Sequence, residues 1–337
     1  MSDSPAWILK WLSWKRWWLN MEYVGLLNKY PVDRPLTDDE RKYQLHHNVR
    51  LKASPIHQRA INRINSTFLE SLDKYYGWKG FISFVMLAFF LVIVWVIFSG
   101  IGITVSDCSM GKVKDCNSSF ILMLFVLLLF LPIACVSIWM LRKESFSYTH
   151  YPIRFNKKNG IVYVFRKNAT VLAIPWSEVF FTLRPAQMNK FWEICGHVLD
   201  SDGVTVKETF ALSDLQNYGY NGPEDVDGDI SERNHLLRHW EFIRRYMEEG
   251  PKDLVNLVDY QRPVHLRKET FFEGLERVSA ESGGSYVMML IGSPIILITA
   301  IGRWFAMRTS KIPVWPAEVE AACRIDPDDP YVREATL

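Results

Sequence analysis

The chain has 337 residues, with 39 Lys and Arg against 37 Asp and Glu, 49% hydrophobic residues and five cysteines. That balance excludes a disordered chain, a collagen-like repeat and a disulfide-dense secreted module, and it argues against nucleic acid as a partner. Thirteen tryptophans stand out, because Trp concentrates at membrane–water interfaces.

Trp7, Trp11, Trp14 and Trp18 recur at spacings of four, three and four, which puts them on one helix face. With Lys10, Lys15 and Arg16 around it, the stripe suits a membrane interface, rings at headgroup level and cations on lipid phosphate. It equally suits packing on the rest of the protein, since Leu9, Leu12 and Leu19 make the other face apolar. The same three cations rule out a signal peptide. Thr37-Asp38-Asp39-Glu40 has the form of a capping box. Ser54-Pro55 reads as a second helix start, followed by Ile56, Ala60, Ile61, Ile64, Phe68 and Leu72 at helical spacing. Residues 1–79 are therefore expected as a Trp-rich, amphipathic helical region on the cytoplasmic side. His46, His47 and His57 lack a Cys or carboxylate at ligand spacing and are expected on exposed helix.

The windows Phe81 to Ile103 and Phe120 to Leu141 hold about 23 and 22 uncharged residues, enough to cross a hydrocarbon core of about 30 Å. They define a transmembrane hairpin over 80–141 with a short outer loop, 104–119. Pro132 in the second window is expected to kink it, as membrane helices tolerate. Arg59, Arg63, Lys74 and Lys79 precede the first span, and Arg142, Lys143, Arg154, Lys157 and Lys158 follow the second. This basic excess puts both flanks in the cytoplasm. Cys108 and Cys116 in the outer loop are expected to bridge in an oxidising compartment, with two free thiols as the alternative. Cys135, Cys195 and Cys323 have no metal-site partner at CxxC spacing.

From Tyr151 the period changes. RFNKKNGIVYVFR alternates around Lys158-Asn159-Gly160, a hairpin signal. VLAIPWSEVFFTL and FWEICGHVLDSDGVTVKETFAL continue as strands, the latter turning at Ser201-Asp202-Gly203. In the acidic loop Asn221 to Asp229, Asp225, Asp227 and Asp229 alternate as calcium ligands would. Gly228 comes too early for that and the flanking helices are missing, so a solvated loop is expected. Ser231 caps a helix running from Asn234 to Glu249, ended by Gly250-Pro251. A third apolar stretch, Tyr286 to Gly302, is broken by Gly292-Ser293-Pro294. Spanning would carry the basic residues after it outside, against the charge rule, so a re-entrant, interfacial or protein-packed element is expected. Residues 256–337 thus form a membrane-associated segment and a Pro-rich tail with a short helix at Ala317 to Cys323.

The expected fold is an α+β membrane protein: a transmembrane hairpin plus a cytoplasmic, mostly antiparallel β domain (142–255) with a C-terminal capping helix. That order of elements resembles a pleckstrin-homology-like barrel. The run Ile174-Pro175-Trp176-Ser177-Glu178-Val179 is similar to a strand motif of bacterial members that follow a membrane hairpin. No GxSxG, HExxH, GxxxxGK or GxGxxG motif is present, and His150 and His197 stand alone in or beside strands. No enzyme, cofactor or metal site is expected.

The Trp-rich start, the hairpin, YPIRFNKKNGIVYVFR, IPWSEVFF, FWEICGHVLDSDG, HLLRHWEFIRRYMEEGP and WPAEVEAAC…DPDDPYVR together resemble an uncharacterised bacterial membrane-protein family encoded beside type VI secretion effectors. The resemblance implies an inner-membrane immunity or accessory protein, with the lipid bilayer and a cognate effector as partners. The alternative is a membrane-tethered module reading a lipid headgroup or a peptide in signalling or envelope stress. Asp225, Asp227 and Asp229, the strand edge from Arg184 to Trp192, and the outer loop are the surfaces that composition marks for a protein partner. A transporter is disfavoured, because two or three spans without intramembrane charges offer no pathway unless they form a homo-oligomer.

Overall fold

The computed structural model describes residues 30–112, 115–186, 191–213, 232–258, 262–280 and 286–335. They fall into two compact units, one drawn from Met1–Gly77, His150–Lys268 and Ile312–Leu337, the other from Trp78–Thr149 and Glu269–Lys311. This differs from the expected division into 1–79, 80–141, 142–255 and 256–337, because segments remote in sequence build each unit.

The first unit contains two antiparallel sheets. One orders β1 (Arg34–Pro35), β10 (Thr205–Ala211), β9 (Phe191–Leu199), β8 (Val179–Ala186) and β2 (Gln44–Leu45). The other orders β11 (Arg333–Glu334), β3 (Ile61–Ile64), β4 (Phe68–Ser71), β5 (Ile153–Asn156), β6 (Ile161–Phe165) and β7 (Val171–Pro175). Local chemistry makes the turns. Asn156 Oδ1 accepts from Asn159 N at 3.1 Å, and Gly160 takes φ 68° to close β5 onto β6. Between β9 and β10, Asp202 Oδ1 accepts from Val204 N and Thr205 N, each at 2.8 Å.

The amphipathic helix expected from Ile56 to Leu72 is not formed, and the β3–β4 hairpin stands within that stretch. Asn65 turns the chain, its Oδ1 accepting from Thr67 N at 2.9 Å and Phe68 N at 2.8 Å. The apolar residues fit both periods. Pairing with β5 on one side and β11 on the other decided for strand.

Helix α1 (Asp38–Lys42) does begin with the capping box at Thr37 and Glu40. It lies between β1, which covers the free edge of β10, and β2, which covers that of β8. The segment from Arg34 to Leu45 therefore protects both edges of the β8–β9–β10 sheet. Helix α5 (Glu232–Glu249) buries Leu236, Trp240, Ile243 and Met247 and ends where Gly250 takes φ 100°. Its Trp240 stacks on Trp176 with centroids 5.7 Å apart, and Phe181 tilts against both rings. Trp176 Nε1 also donates to Glu248 Oε1 at 2.7 Å, so the IPWSEV motif ties the sheets to the helix. His47 packs its ring 4.6 Å from that of Trp176, away from the exposed helical setting expected for it.

The second unit is helical, comprising α3 (Phe81–Ser109), α4 (Cys116–Glu144), α6 (Phe271–Ala280) and α7 (Tyr286–Thr309). The short α2 (Tyr75–Trp78) precedes α3, and α8 (Ala317–Ala322) lies in the first unit's tail. Helix α7 runs unbroken through Gly292-Ser293-Pro294, where Ser293 Oγ donates to Leu290 O at 2.8 Å beside the residue that cannot donate.

Candidate membrane interface and buried polar centres

Helices α3 and α4 each have 29 residues and are apolar enough to cross a membrane. A core helix of a soluble protein would pass the same test, but it would be enclosed. Here only 17% and 6% of the most apolar windows are buried. Trp95, Phe98, Ile103, Ile121, Leu122 and Phe125 face outward. Such a surface suggests membrane association.

Both ends of this hairpin are fastened. Ser83 N donates to the Glu144 carboxylate at 2.6 Å, the Ser83 and Ser145 hydroxyls lie 2.6 Å apart, and Lys79 Nζ donates to Glu144 O at 2.7 Å and Tyr148 O at 2.8 Å. At the other end Asp115 caps α4, and Cys108 is joined to Cys116 with their Cα atoms 5.7 Å apart. The basic flanks divide in two. Arg142 and Lys143 are exposed at the end of α4, whereas Arg63, Lys74, Lys79 and Arg154 have partners within their own units.

Among the described residues the first unit holds several buried polar centres, and three of them contain residues that the sequence singles out. In one, Glu70 on β4 accepts from Arg154 Nε on β5, from Asn62 Nδ2 at 3.0 Å and from Trp315 Nε1 at 3.0 Å. Arg154 lies between the Phe68 and Trp315 rings, 4.7 and 4.8 Å from their centroids, and reaches Glu320 at 2.9 Å. Burial alone would raise the Glu70 pKa, but Arg154 outweighs it and holds the carboxyl below its ordinary range.

In the second, Glu193 accepts from Lys74 and from Arg184 Nε at 2.7 Å. Against the effect of burial, these two cations hold its pKa at about 2. Arg184 lies 5.6 Å from the Tyr30 ring centroid, and the neighbouring Cys195 thiol is pushed up to about 12 by burial, so it stays protonated at neutral pH. Trp192 lies edge-on to Tyr43 at 5.8 Å, with the Arg233 guanidinium 5.4 Å from its centroid. Arg184 is thus spent on an ion pair across the β8–β9 hairpin, and Trp192 on contacts with Tyr43 and Arg233 from outside it.

The third comes nearest to a catalytic arrangement. Thr209 Oγ1 is 2.8 Å from His197 Nδ1, and His197 Nε2 is 3.3 Å from Glu40 Oε1. The imidazole is wholly buried and held neutral by desolvation, and Glu40 is already engaged by Arg34 and by Thr37 N. Thr209 and His197 are direct cross-strand neighbours, so this line of groups ties α1 to the sheet.

The expected interface residues Trp7, Lys10, Trp11, Trp14, Lys15, Arg16 and Trp18 lie outside the described residues, as do Asp225, Asp227 and Asp229. Among the described residues, no group of three or more His, Cys, Asp or Glu could hold a metal ion. Glu40 carries a local sequence signal, the capping box with Thr37, whereas Glu70 and Glu193 carry none and are recognisable only through the cations that the fold brings to them.

A family model, described as a family of unknown function (DUF6708), matches residues 125–327, more than half of the chain. No curated protein and no solved structure matches.

Proposed function

The chain belongs to the DUF6708 family of unknown function, and we propose its anchorage from its own build and its role from the resemblance that its sequence carries. It is a non-enzymatic protein of the bacterial inner membrane, anchored by α3 and α4 with both flanks cytoplasmic. Its soluble unit binds and neutralises a type VI secretion effector, as an immunity or accessory protein. The observation that carries the anchor is the outward apolar surface of two 29-residue helices. The effector is motivated by the family resemblance of the sequence. A scaffold whose buried charges are spent on ion pairs between strands suits a rigid binding partner. Deleting the gene is expected to sensitise the cell to an effector-delivering competitor; unchanged survival in that competition refutes the proposal.

A second reading is favoured by element order. The strands β4 to β7, then β8 to β10, then α5, follow a pleckstrin-homology-like succession, with the α3–α4 hairpin inserted between β4 and β5. The β8 edge, where an added peptide strand would pair, is occupied by β2. Within this reading a lipid headgroup is therefore the better ligand. Neutral proteoliposomes carrying the full chain should then recruit phosphatidylglycerol vesicles, and absence of recruitment removes the reading.

A further inference from the structure

Helix α7 has two unlike faces. Ala300, Gly302, Arg303, Ala306 and Met307 are buried. Leu290, Ile295, Leu297, Ile298 and Ile301 are exposed, and the stretch from Tyr286 to Gly302 has no charge. The buried face is seated at the very start of α3. A Cβ built on Gly302 would stand 2.5 Å from Phe84 Cβ and 2.6 Å from Gly80 O, so the two backbones touch there. Arg303 is held by Glu269 through Nε at 3.1 Å and Nη2 at 2.8 Å, and donates to Lys79 O at 3.2 Å. The exposed apolar face of α7 is therefore continuous with the apolar surface of α3, and it begins where that surface begins. Trp304 and Arg308 follow immediately, the residue types of a headgroup border.

Helix α6 limits how far this face can travel. It packs on α7, its Gly274 against Arg303, and it carries Glu273, Glu276 and Arg277. Carboxylates and guanidinium groups are excluded from the hydrocarbon centre. The uncharged part of α7, about 17 residues at about 1.5 Å each, is also shorter than the roughly 30 Å core.

We propose that α7 is a third membrane-embedded element that does not cross. Its Leu290–Ile301 face is covered by acyl chains of the leaflet α3 enters at Gly80, and α6 rides at headgroup level. This rests on α3 and α4 spanning the bilayer.

The test uses the full chain with Cys135→Ala, reconstituted in vesicles of phosphatidylethanolamine and phosphatidylglycerol. An environment-sensitive fluorophore is placed at Ile295→Cys, at the exposed Val92→Cys near the middle of α3, or at Val314→Cys as a water reference. Both membrane positions are expected to emit to the blue of the reference. Val92→Cys, about 18 Å along α3 from Gly80, should lose more intensity to deep nitroxide lipids, and Ile295→Cys more to shallow ones. If Val92→Cys is quenched but Ile295→Cys is not, a protein surface covers α7 and this inference falls while the anchor stands. If Leu290→Cys reacts with an impermeant thiol reagent only from the side opposite Arg308, α7 crosses and the inference falls. Quenching at neither position overturns the anchor with it.

Discussion

Glu70 and Arg154 offer the sharpest test of how the first unit is held. Both are almost fully enclosed, and they come from strands that pair directly, β4 and β5. Replacing Glu70 by Gln keeps the shape and leaves an acceptor for Trp315 or Asn62, but it strands a buried guanidinium. Removing one partner of a buried pair costs about 3–5 kcal/mol. Arg154 keeps Glu320, itself half in solvent, and two aromatic faces, so the lower end, about 3 kcal/mol, is expected. The readout is hydrogen exchange of the β4 and β5 amides in the full chain. There, about 3 kcal/mol corresponds to roughly a 150-fold loss of protection, at 1.36 kcal/mol per decade. The double variant Glu70→Leu with Arg154→Met replaces the pair by apolar groups of similar volume. It removes the stranded charge and should exchange more slowly than Glu70→Gln. A Glu70→Gln loss under about 1 kcal/mol, or a double variant worse than the single, would refute the reasoning, because the pair would then not be desolvated. pH gives an independent check. The folded pKa of Glu70 is lowered, so its contribution is present above the ordinary carboxyl range and is lost as pH falls below about 4.

Gly302→Leu is expected to prise α7 from the start of α3, since even a Cβ meets backbone there. Overpacking of this kind costs about 1–3 kcal/mol, and limited proteolysis near Arg303 should accelerate, whereas Gly102→Ala, in open space, should not change it. Acidification should weaken the first unit well before the carboxylates titrate. Burial lowers the His239 pKa to about 3, so the unfolded chain takes up a proton below about 6.5 that the folded one refuses. At pH 5 that is about 2 kcal/mol for this residue, and His239→Gln should flatten the stability profile between pH 7 and 5. Cys108 and Cys116 should resist alkylation until a reductant is added, while Cys135 reacts once the membrane is dissolved; labelling of both without reductant refutes the bridge.

Several features were legible because their causes are local. An Asn-Gly step, an Asp-Gly step, a Thr-x-x-Glu box and a terminal Gly-Pro each act within a few residues, and β5–β6, β9–β10, α1 and the end of α5 appear where those signals stand. The two long uncharged runs needed only their length. The stretch from Ile56 to Leu72 misled because its apolar residues satisfy the helical period as well as the strand period. The choice between them lay with β5, which follows the α3–α4 hairpin, and with β11 at the far end of the chain. The Pro-rich tail has no local mark of what it packs on, and it supplies Trp315, Glu320 and the Asp329 that accepts from Ser66 N at 2.7 Å.

By itself the sequence determined the membrane-length helices, the hairpins and the capping helix, since hydrophobic length and turn chemistry do not depend on what lies across the fold. Only the tertiary structure decided which charges are spent inside. Arg154, Lys74 and Lys79 read as a basic flank along the chain, yet they are drawn into Glu70, Glu193 and the end of α4. A desolvated cation needs a partner, and the fold chooses that partner from whichever strand or helix it brings alongside. The same holds for α7, whose two faces became distinct only when Gly302 met Gly80.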